Sequence, residues 1–195
     1  VNAALVIDAG MASESTANAG TASLALDLLD KGTRSRDVFK LADDLASLGA
    51  NLSTATGTDF SVVRLQSTTA ALRPSLSLMA DAALNPAFAP DQFALQKQRR
   101  LAQIAQERAQ PNALAQRIVP VLLYGEAHAY GKPASGSEST VGKITRADLA
   151  RWHASWFKPG SATLIVTGDT TLAQLVPALE ASFGAWKAGS APAKK

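Results

Sequence analysis

The stretch AGTASLALDLLDKGT, residues 19–33, has the residue pattern of a buried helix. We place this helix over about Thr21 to Asp30, because Gly32 follows the last periodic residue and glycine commonly ends a helix. The stretch holds no histidine, cysteine or glutamate, side chains that supply many metal and acid–base sites. Its apolar residues fall on two adjacent stripes, which are Leu24 with Leu28 and Ala25 with Leu29.

The segments next to this helix combine strand and helix signals. Residues 3–9 are apolar and end at Gly10, which predicts a buried strand. Downstream, SRDVFKLADDLASLG predicts a second helix with Ser35 as its N-cap and Gly49 as its stop. The residues ANLSTATGTDFSVVRLQST then predict a hairpin that turns at Gly57 and leaves one face in solvent. The apolar positions of the hairpin are Leu52, Ala55, Phe60, Val62 and Leu65.

The rest of the chain is mostly helical in pattern. A long Gly- and Ser-rich loop is expected over 125–143, and loops of this length are often functional. One more strand is expected in SATLIVTGD, residues 161–169. Because strands are few and helix pairs lie between them, the pattern predicts an α+β fold. The expected helices cover 69–84, about 89–110, 111–125, a segment capped by Thr145, and 172–184.

Composition excludes several classes of protein. The 195 residues include no cysteine, which excludes disulfides, thiolate nucleophiles and Cys-type zinc sites. The net charge is +3, and the dense basic run of Lys97, Arg99 and Arg100 has no aromatic residues interleaved. We therefore interpret this run as a solvated helix face and expect no nucleic-acid partner. No apolar run approaches the roughly 20 residues of a membrane span, so we expect no membrane insertion.

The two ends of the chain differ from its middle. The first ten residues, VNAALVIDAG, lack the basic region and the cleavage site of a signal peptide. They predict a strand that is already in progress at residue 1. The final KAGSAPAKK is small, polar and Pro-containing, which is typical of a linker. We expect a single domain over 1–186 that lacks its first strand, followed by a linker or tail over 187–195.

Several short motifs occur in a fixed order along the chain. They are GTASLALDLLDKGT, LGANLS before the hairpin, NPAF, a helix that leads to QP, LLYGEAHAYGKP, ITRADLARWHASWFKPGSATLIVTGD and FGAW. From about Ala3 to Trp186, this order resembles the pitrilysin/insulinase family of zinc metallopeptidases, which includes the mitochondrial processing peptidase. The resemblance implies an antiparallel sheet covered by helices, the LuxS/processing-peptidase-like metallohydrolase fold.

Members of that family bind zinc through an inverted motif, H-x-x-E-H, whose glutamate is the general base, and through a glutamate from a later helix. The resemblance places Ser23 and Asp27 at the two histidine positions and Leu26 at the base position. The spacing of the motif places the third ligand at Gln103. This set offers one carboxylate and no imidazole, so we expect a degenerate motif with no metal and no catalytic residue in this chain.

The family uses homologous domains in pairs or as four in one chain, and only the first carries the zinc motif. The resemblance therefore implies a non-catalytic domain that helps to form a chamber and to bind peptide. Such domains are the third domain of long bacterial members and the non-catalytic subunit of two-chain members. The expected partners are a catalytic homologous domain or subunit, which holds the zinc, and a peptide or unfolded polypeptide. A bacterial periplasm is favoured over the cytoplasm.

Two other functions remain open. The first is a structural or assembly subunit without a peptidase role, which would form a stable complex and bind no peptide. The second is an active metallopeptidase with divergent ligands drawn from Asp27, Glu14 and His128. That alternative predicts metal-dependent activity from this chain alone.

The remaining polar and aromatic candidates have structural interpretations. We interpret His128 as a loop residue that fixes the turn beside Tyr130, and His153 as a packed helix residue. Asp27 and Asp30 lie three residues apart on one helix and are expected to form a solvated face or a cap. The tryptophans Trp152, Trp156 and Trp186 are expected in the core or at a contact between domains.

Overall fold

A four-stranded antiparallel sheet forms one layer of the computed structural model, which describes residues 1–189 and 191–193, with the backbone alone at Thr16. Helices pack against one face of this sheet, so the α+β fold expected from the sequence is confirmed. The strands are β1 (Asn2–Ile7), β2 (Asn51–Thr56), β3 (Ser61–Gln66) and β4 (Ala162–Thr167). Their order is β2-β3-β1-β4, which leaves β2 and β4 at the edges.

The two faces of the sheet differ in exposure. On the helical side, Leu5 of β1 pairs with Val63 of β3 and with Leu164 of β4. On the other side, Arg64 and Ile165 are exposed to solvent. Side chains alternate along each strand, so every second residue joins the core and the intervening residues form a broad, largely exposed surface.

The helices supply most of the core. Helix α1 is buried at all six of its residues, and α3 also places most of its side chains in the core. The loop expected over 125–143 contains a short helix, α6. The helices are α1 (Thr21–Leu26), α2 (Val38–Ser47), α3 (Leu72–Leu84), α4 (Pro90–Arg108), α5 (Pro111–Tyr124), α6 (Glu138–Lys143), α7 (Arg146–Trp156) and α8 (Leu172–Phe183).

Three expected helix boundaries are wrong. Helix α1 ends at Leu26 instead of about Asp30, because residues 27–30 form a turn. The N-cap of α2 is Asp37, whose carboxylate accepts a hydrogen bond from the Lys40 backbone at 2.8 Å. Ser35 instead donates its hydroxyl proton to Asp81. Helix α3 begins at Leu72 instead of Thr69, because the residues before Leu72 form a turn.

The hairpin positions and the chain ends also differ from expectation. Leu52 and Leu65 pair on the helical side, whereas Ala55 and Val62 pair on the opposite face, since an odd spacing reverses the side chain's direction. Phe60 precedes β3 and is 46% exposed. Of the predicted linker over 187–195, residues 190, 194 and 195 lie outside the described residues.

Gly10 lies where the chain leaves β1 and meets the β2–β3 hairpin. A Cβ atom at this position would stand 2.3 Å from the Gly57 carbonyl oxygen and 2.6 Å from that of Thr58. The same hairpin turn accepts a backbone hydrogen bond from Met11 at 3.1 Å. Both contacts are with backbone, which cannot rotate away, so only glycine fits between the strand and the hairpin.

We expect Gly10→Ala to lower the free energy of unfolding by about 3 kcal/mol or more, because the added methyl group overpacks a rigid contact. Gly142→Ala is the matched control, since a Cβ atom there has no neighbour within 4 Å. In a helix, that replacement should be neutral or stabilising by about 0.5–1 kcal/mol. Urea unfolding of both variants measures the difference; equal midpoints would show that the contact at Gly10 relaxes.

Candidate functional site

The positions assigned to the zinc motif lie on α1 and the residue after it. Ser23 and Asp27 are four residues apart and meet on one side of the helix, where both contact Arg100. Leu26 is 1% exposed and belongs to the hydrophobic core. The structure therefore brings the two histidine positions together and leaves an apolar side chain at the position of the base.

Arg100 of α4 faces this pair. Its Nη1 donates a hydrogen bond to Ser23 Oγ at 2.9 Å, and its Nη2 forms an ion pair with Asp27 Oδ2 at 2.5 Å. The Arg100 side chain is 12% exposed, whereas that of Asp27 is 42% exposed. Partial burial raises the pKa of the Asp27 carboxyl, and the guanidinium of Arg100 opposes that shift.

Gln103 does not join Ser23 and Asp27. Its side chain is exposed, and its amide donates to Glu107 one turn further along α4, at 2.7 Å. The assignment of the third ligand position to Gln103 stays a prediction, because the direction of this one side chain does not decide it. Arg100 bonds to Ser23 and Asp27 because α4 turns the stripe of Phe93, Lys97, Arg100 and Ile104 toward the neighbouring helices.

The expectation of a solvated basic face on α4 is wrong for two of its three members. Lys97 donates its ammonium protons to the carbonyl oxygens of Gly142 and Ile144, both at 2.8 Å. Arg100 is occupied at α1, and Arg99 alone of the three is exposed. Lys97 and Arg100 therefore connect α4 to α6 and α1. A run of basic residues in a sequence does not show such contacts.

A buried carboxylate lies at the N-terminal end of α1. Glu14 accepts hydrogen bonds from the backbone amides of Gly20, at 2.9 Å, and of Ala22. These amides belong to the first turn of α1, where backbone donors have no partner within the helix. Burial raises the pKa of Glu14 to about 7, although the two backbone hydrogen bonds and the nearby cations Lys132 and Arg100 oppose that shift.

Lys132 closes the cluster from the loop after α5. It is 4% exposed, and its ammonium donates to the backbone oxygen of Glu14 at 2.6 Å. Burial lowers the pKa of Lys132, and the negative charge of Glu14 opposes that shift. The cluster therefore contains two acidic and two basic side chains, Glu14 and Asp27 with Lys132 and Arg100.

The side chains at the motif positions do not fit a zinc ion. The Ser23 hydroxyl already accepts from Arg100 and donates to the Gly20 oxygen at 3.2 Å. Zinc requires several imidazole, thiolate or carboxylate ligands, and a guanidinium at this distance repels a divalent cation. Within the described ranges, no group of three or more histidine, cysteine, aspartate or glutamate side chains is placed to hold a metal ion.

The two histidines lie apart from this cluster. His128 accepts a hydrogen bond from the Tyr130 backbone at 3.0 Å and stacks on Tyr124, so it fixes the turn as expected. His153 bonds through Nε2 to the Ala83 oxygen at 2.8 Å and stacks on Phe157. Burial is the main cause that lowers the pKa of His153 to about 4.

Sequence reasoning underestimated three members of the cluster. Arg100 had a usable signal, because it lies on the same helical stripe as the apolar residues Phe93 and Ile104. Glu14 and Lys132 had none, since they are 118 residues apart and meet only through the folded chain. The tryptophans Trp152 and Trp156 are both 7% exposed, as expected of core residues.

The chain belongs to the insulinase family, peptidase family M16. The model of that family matches residues 1–133, and a model described as the peptidase M16 inactive domain matches residues 143–195. The resemblance to pitrilysin/insulinase peptidases that the motifs suggested is therefore confirmed.

Relatives and solved structures with the same fold are longer than this chain. An uncharacterized zinc protease of Mycobacterium leprae is 25% identical over 178 residues, which cover 91% of this chain and 40% of the relative. A peptidase M16 inactive domain from Pseudomonas fluorescens has a TM-score of 0.92 at 27% identity and covers 98% of this chain and 47% of that one. The periplasmic protease PqqL of Escherichia coli has a TM-score of 0.87 at 17% identity, over 100% of this chain and 22% of its own, and shows the fold alone. This chain thus spans less than half the length of each.

Glu14 and His153 should give the chain opposite responses to pH. The pKa of Glu14 rises from 4.5 to about 7 on folding, so its ionisation lowers stability as pH rises through that window. At about 1.4 kcal/mol per pKa unit, the full effect is roughly 3 kcal/mol. The pKa of His153 falls from 6.5 to about 4, so its contribution raises stability with pH over that range.

We therefore expect a nearly flat stability profile between about pH 4.5 and 6.5 for the unaltered chain, because the two slopes oppose each other. In Glu14→Gln, stability should rise with pH in this window, and in His153→Gln it should fall. Urea unfolding at half-unit pH steps measures both slopes, and His128→Gln is the control, because that histidine is exposed. Parallel profiles for Glu14→Gln and the unaltered chain would contradict the assignment.

Proposed function

We propose that this chain is a non-catalytic domain of a zinc metallopeptidase, which helps to form a substrate chamber and to bind peptide. The observation that carries the proposal is Leu26, which stands at the position of the general base and is 1% exposed. An apolar side chain in the core can neither take a proton nor activate water. Membership of peptidase family M16 and likeness to a solved inactive domain support this function.

The partner in this proposal is a homologous domain or subunit that keeps the zinc motif. A relative described as a zinc protease is covered by this chain over 40% of its length, which leaves room for a second domain of similar size. The zinc then belongs to that partner, and this chain needs none. The single domain over 1–186, without its first strand, and the linker over 187–195 remain parts of the proposal.

The sheet offers two surfaces for an extended peptide. Its exposed face carries polar and apolar side chains such as Ser53, Arg64 and Ile165, and this face would line the chamber. The edge strands β2 and β4 each have backbone groups on their outer side, to which an extended chain adds as a further strand. Backbone pairing of this kind accepts peptides of many different sequences. A domain that binds unfolded polypeptide needs that property.

We also propose a bacterial periplasmic location, which we favour over the cytoplasm. A fold neighbour from Escherichia coli is described as a periplasmic protease, and that location is extended to this chain as part of the proposal. None of the described helices is both long enough and apolar enough to cross a membrane.

Metal content and activity test the proposed function directly. After exposure to zinc and desalting, we expect the purified chain to retain far less than about one equivalent, because the motif positions supply no imidazole. We expect no peptidase activity from the chain alone. Mass spectrometry measures the zinc, and hydrolysis of an unstructured fluorogenic peptide measures the activity, with a zinc-loaded M16 peptidase as the positive control.

Other results would favour the alternatives. One bound zinc per chain, with peptidase activity that Asp27→Ala abolishes, would identify an active enzyme with divergent ligands. A stable complex with the catalytic partner that binds no unstructured peptide would identify an assembly subunit. Peptide binding by the chain, measured by fluorescence anisotropy, together with absence of zinc, is the combination that the proposal expects.

A further inference from the structure

A polar cavity of about 670 Å³ lies between helices α3, α7 and α8 and the segment that precedes α2. These helices cover one side of the sheet, so the cavity is separate from the exposed face that we propose as a chamber wall. Among the described residues, its charged lining consists of four cations and one carboxylate, which are Arg34, Arg36, Lys158, Lys187 and Asp81.

The carboxylate of Asp81 is already occupied by donors beside it. It accepts hydrogen bonds from the Ser35 hydroxyl at 2.9 Å, the Asn85 amide at 3.2 Å and the Arg36 guanidinium at 2.7 Å. Arg36 also forms an ion pair with Asp44 at 3.0 Å. The charge of Asp81 is therefore matched by Arg36, in the segment before α2, and not by the other cations of the cavity.

Arg34 and Lys158 carry charges that the described part of the chain does not pair. No described carboxylate forms an ion pair with either side chain or with Lys187. The Arg34 backbone amide donates to the Asn85 oxygen at 2.9 Å, which anchors this residue at the cavity. The backbone at Gly189 packs against the Lys158 stem, since a Cβ atom there would stand 3.2 Å from Lys158 Cδ. The cavity therefore has an excess of positive charge on two anchored residues.

His153 lines the same cavity and responds to that excess. Its Nε2 bonds to the Ala83 oxygen, which only accepts, so the neutral ring carries its proton on Nε2. Burial is the main cause that lowers the pKa of His153 to about 4, and the hydrogen bond to Ala83 opposes that shift. The positive charges of Arg34 and Lys158 lower this pKa further. An anion in the cavity would offset both charges, so the imidazole is a built-in reporter of binding.

We propose that this cavity binds a ligand that carries a phosphate group, with the phosphate oxygens between Arg34 and Lys158. A phosphate group carries about −1.5 to −2 charges near neutral pH and offers three acceptor oxygens, more than a single carboxylate provides. The planar guanidinium of Arg34 matches two oxygens at once, and the Lys158 ammonium supplies a point charge. The hydroxyls of Ser77 and Ser182 also line the cavity and can donate to the remaining oxygen. This inference goes beyond the proposed function and does not depend on it.

Pyrophosphate is the probe for binding, in a phosphate-free buffer of low ionic strength because salt screens such contacts. The chain has two histidines, so the ring resonances of each can be followed by NMR. We expect pyrophosphate to move the His153 resonances saturably near neutral pH. It should also raise the pKa of His153, because the anion offsets two nearby cations. His128 is exposed on the loop after α5 and should not respond.

Paired substitutions test the two cations. Arg34→Gln, Lys158→Gln removes two positive charges from the cavity, so pyrophosphate should bind at least about tenfold more weakly. Arg99→Gln, Lys143→Gln is the matched control, because it removes the same charge from exposed positions on α4 and α6. Its affinity should change less than about threefold, since charges far from the ligand are screened. If the paired variant fails to fold, Arg34→Gln alone, at an exposed position, should still weaken binding by about threefold or more.

Vesicles of phosphatidylcholine with added phosphatidic acid distinguish the two sources of a phosphate group. Binding of soluble pyrophosphate identifies a free ligand. Cosedimentation with the vesicles that the paired variant abolishes, without binding of pyrophosphate, identifies a lipid headgroup.

Three results would overturn the inference. Equal affinity of the paired variant and its control would show that net charge alone attracts the anion. Citrate that binds as tightly as pyrophosphate would remove the preference for phosphate, because citrate carries carboxylates alone. The third is absence of binding to both pyrophosphate and the vesicles. None of these results bears on the proposed function, which zinc content and peptide cleavage test separately.

Discussion

Complete burial of helix α1 is the constraint on which the polar cluster depends. A buried helix still has free amides in its first turn, and water cannot reach them. Glu14 supplies the acceptor, and this requires a carboxylate in the core. Lys132 and Arg100 lie nearby and offset part of the cost of burying this group. The buried acidic and basic side chains of this region are therefore a consequence of packing the short helix α1 in the core beside the sheet.

Within that cluster, Arg100 differs from a metal in what it can do. A catalytic zinc ion keeps one coordination position open to substrate. The N–H groups of a guanidinium are instead used in hydrogen bonds to the residues that it contacts. Arg100 can therefore fix the two helices without presenting a reactive centre. Structure and chemistry are therefore separable at this position, because the contact between the two helices does not require a metal.

Much of the fold could be predicted from local pattern, because helices, strands and turns have local causes. Thr145 caps α7, and Pro111 begins α5, as expected. The α2 cap was misassigned because Ser35 and Asp37 are both good capping residues, and a contact with α3 decides between them. At the site, spacing found Ser23 and Asp27 but not their partner. The direction of a side chain on α4 depends on packing that sequence spacing does not contain.

The position of β1 in the middle of the sheet has a consequence for synthesis of the protein. Near the start of the chain, β1 pairs with β3 on one side and with β4, about 160 residues later, on the other. On a ribosome, the β2–β3 hairpin emerges soon after β1, whereas the other edge of β1 has no partner until β4 is synthesised. Until β4 is synthesised, that edge can pair with another extended chain, so a nascent copy is exposed to mispairing over the roughly 160 residues that separate the two strands.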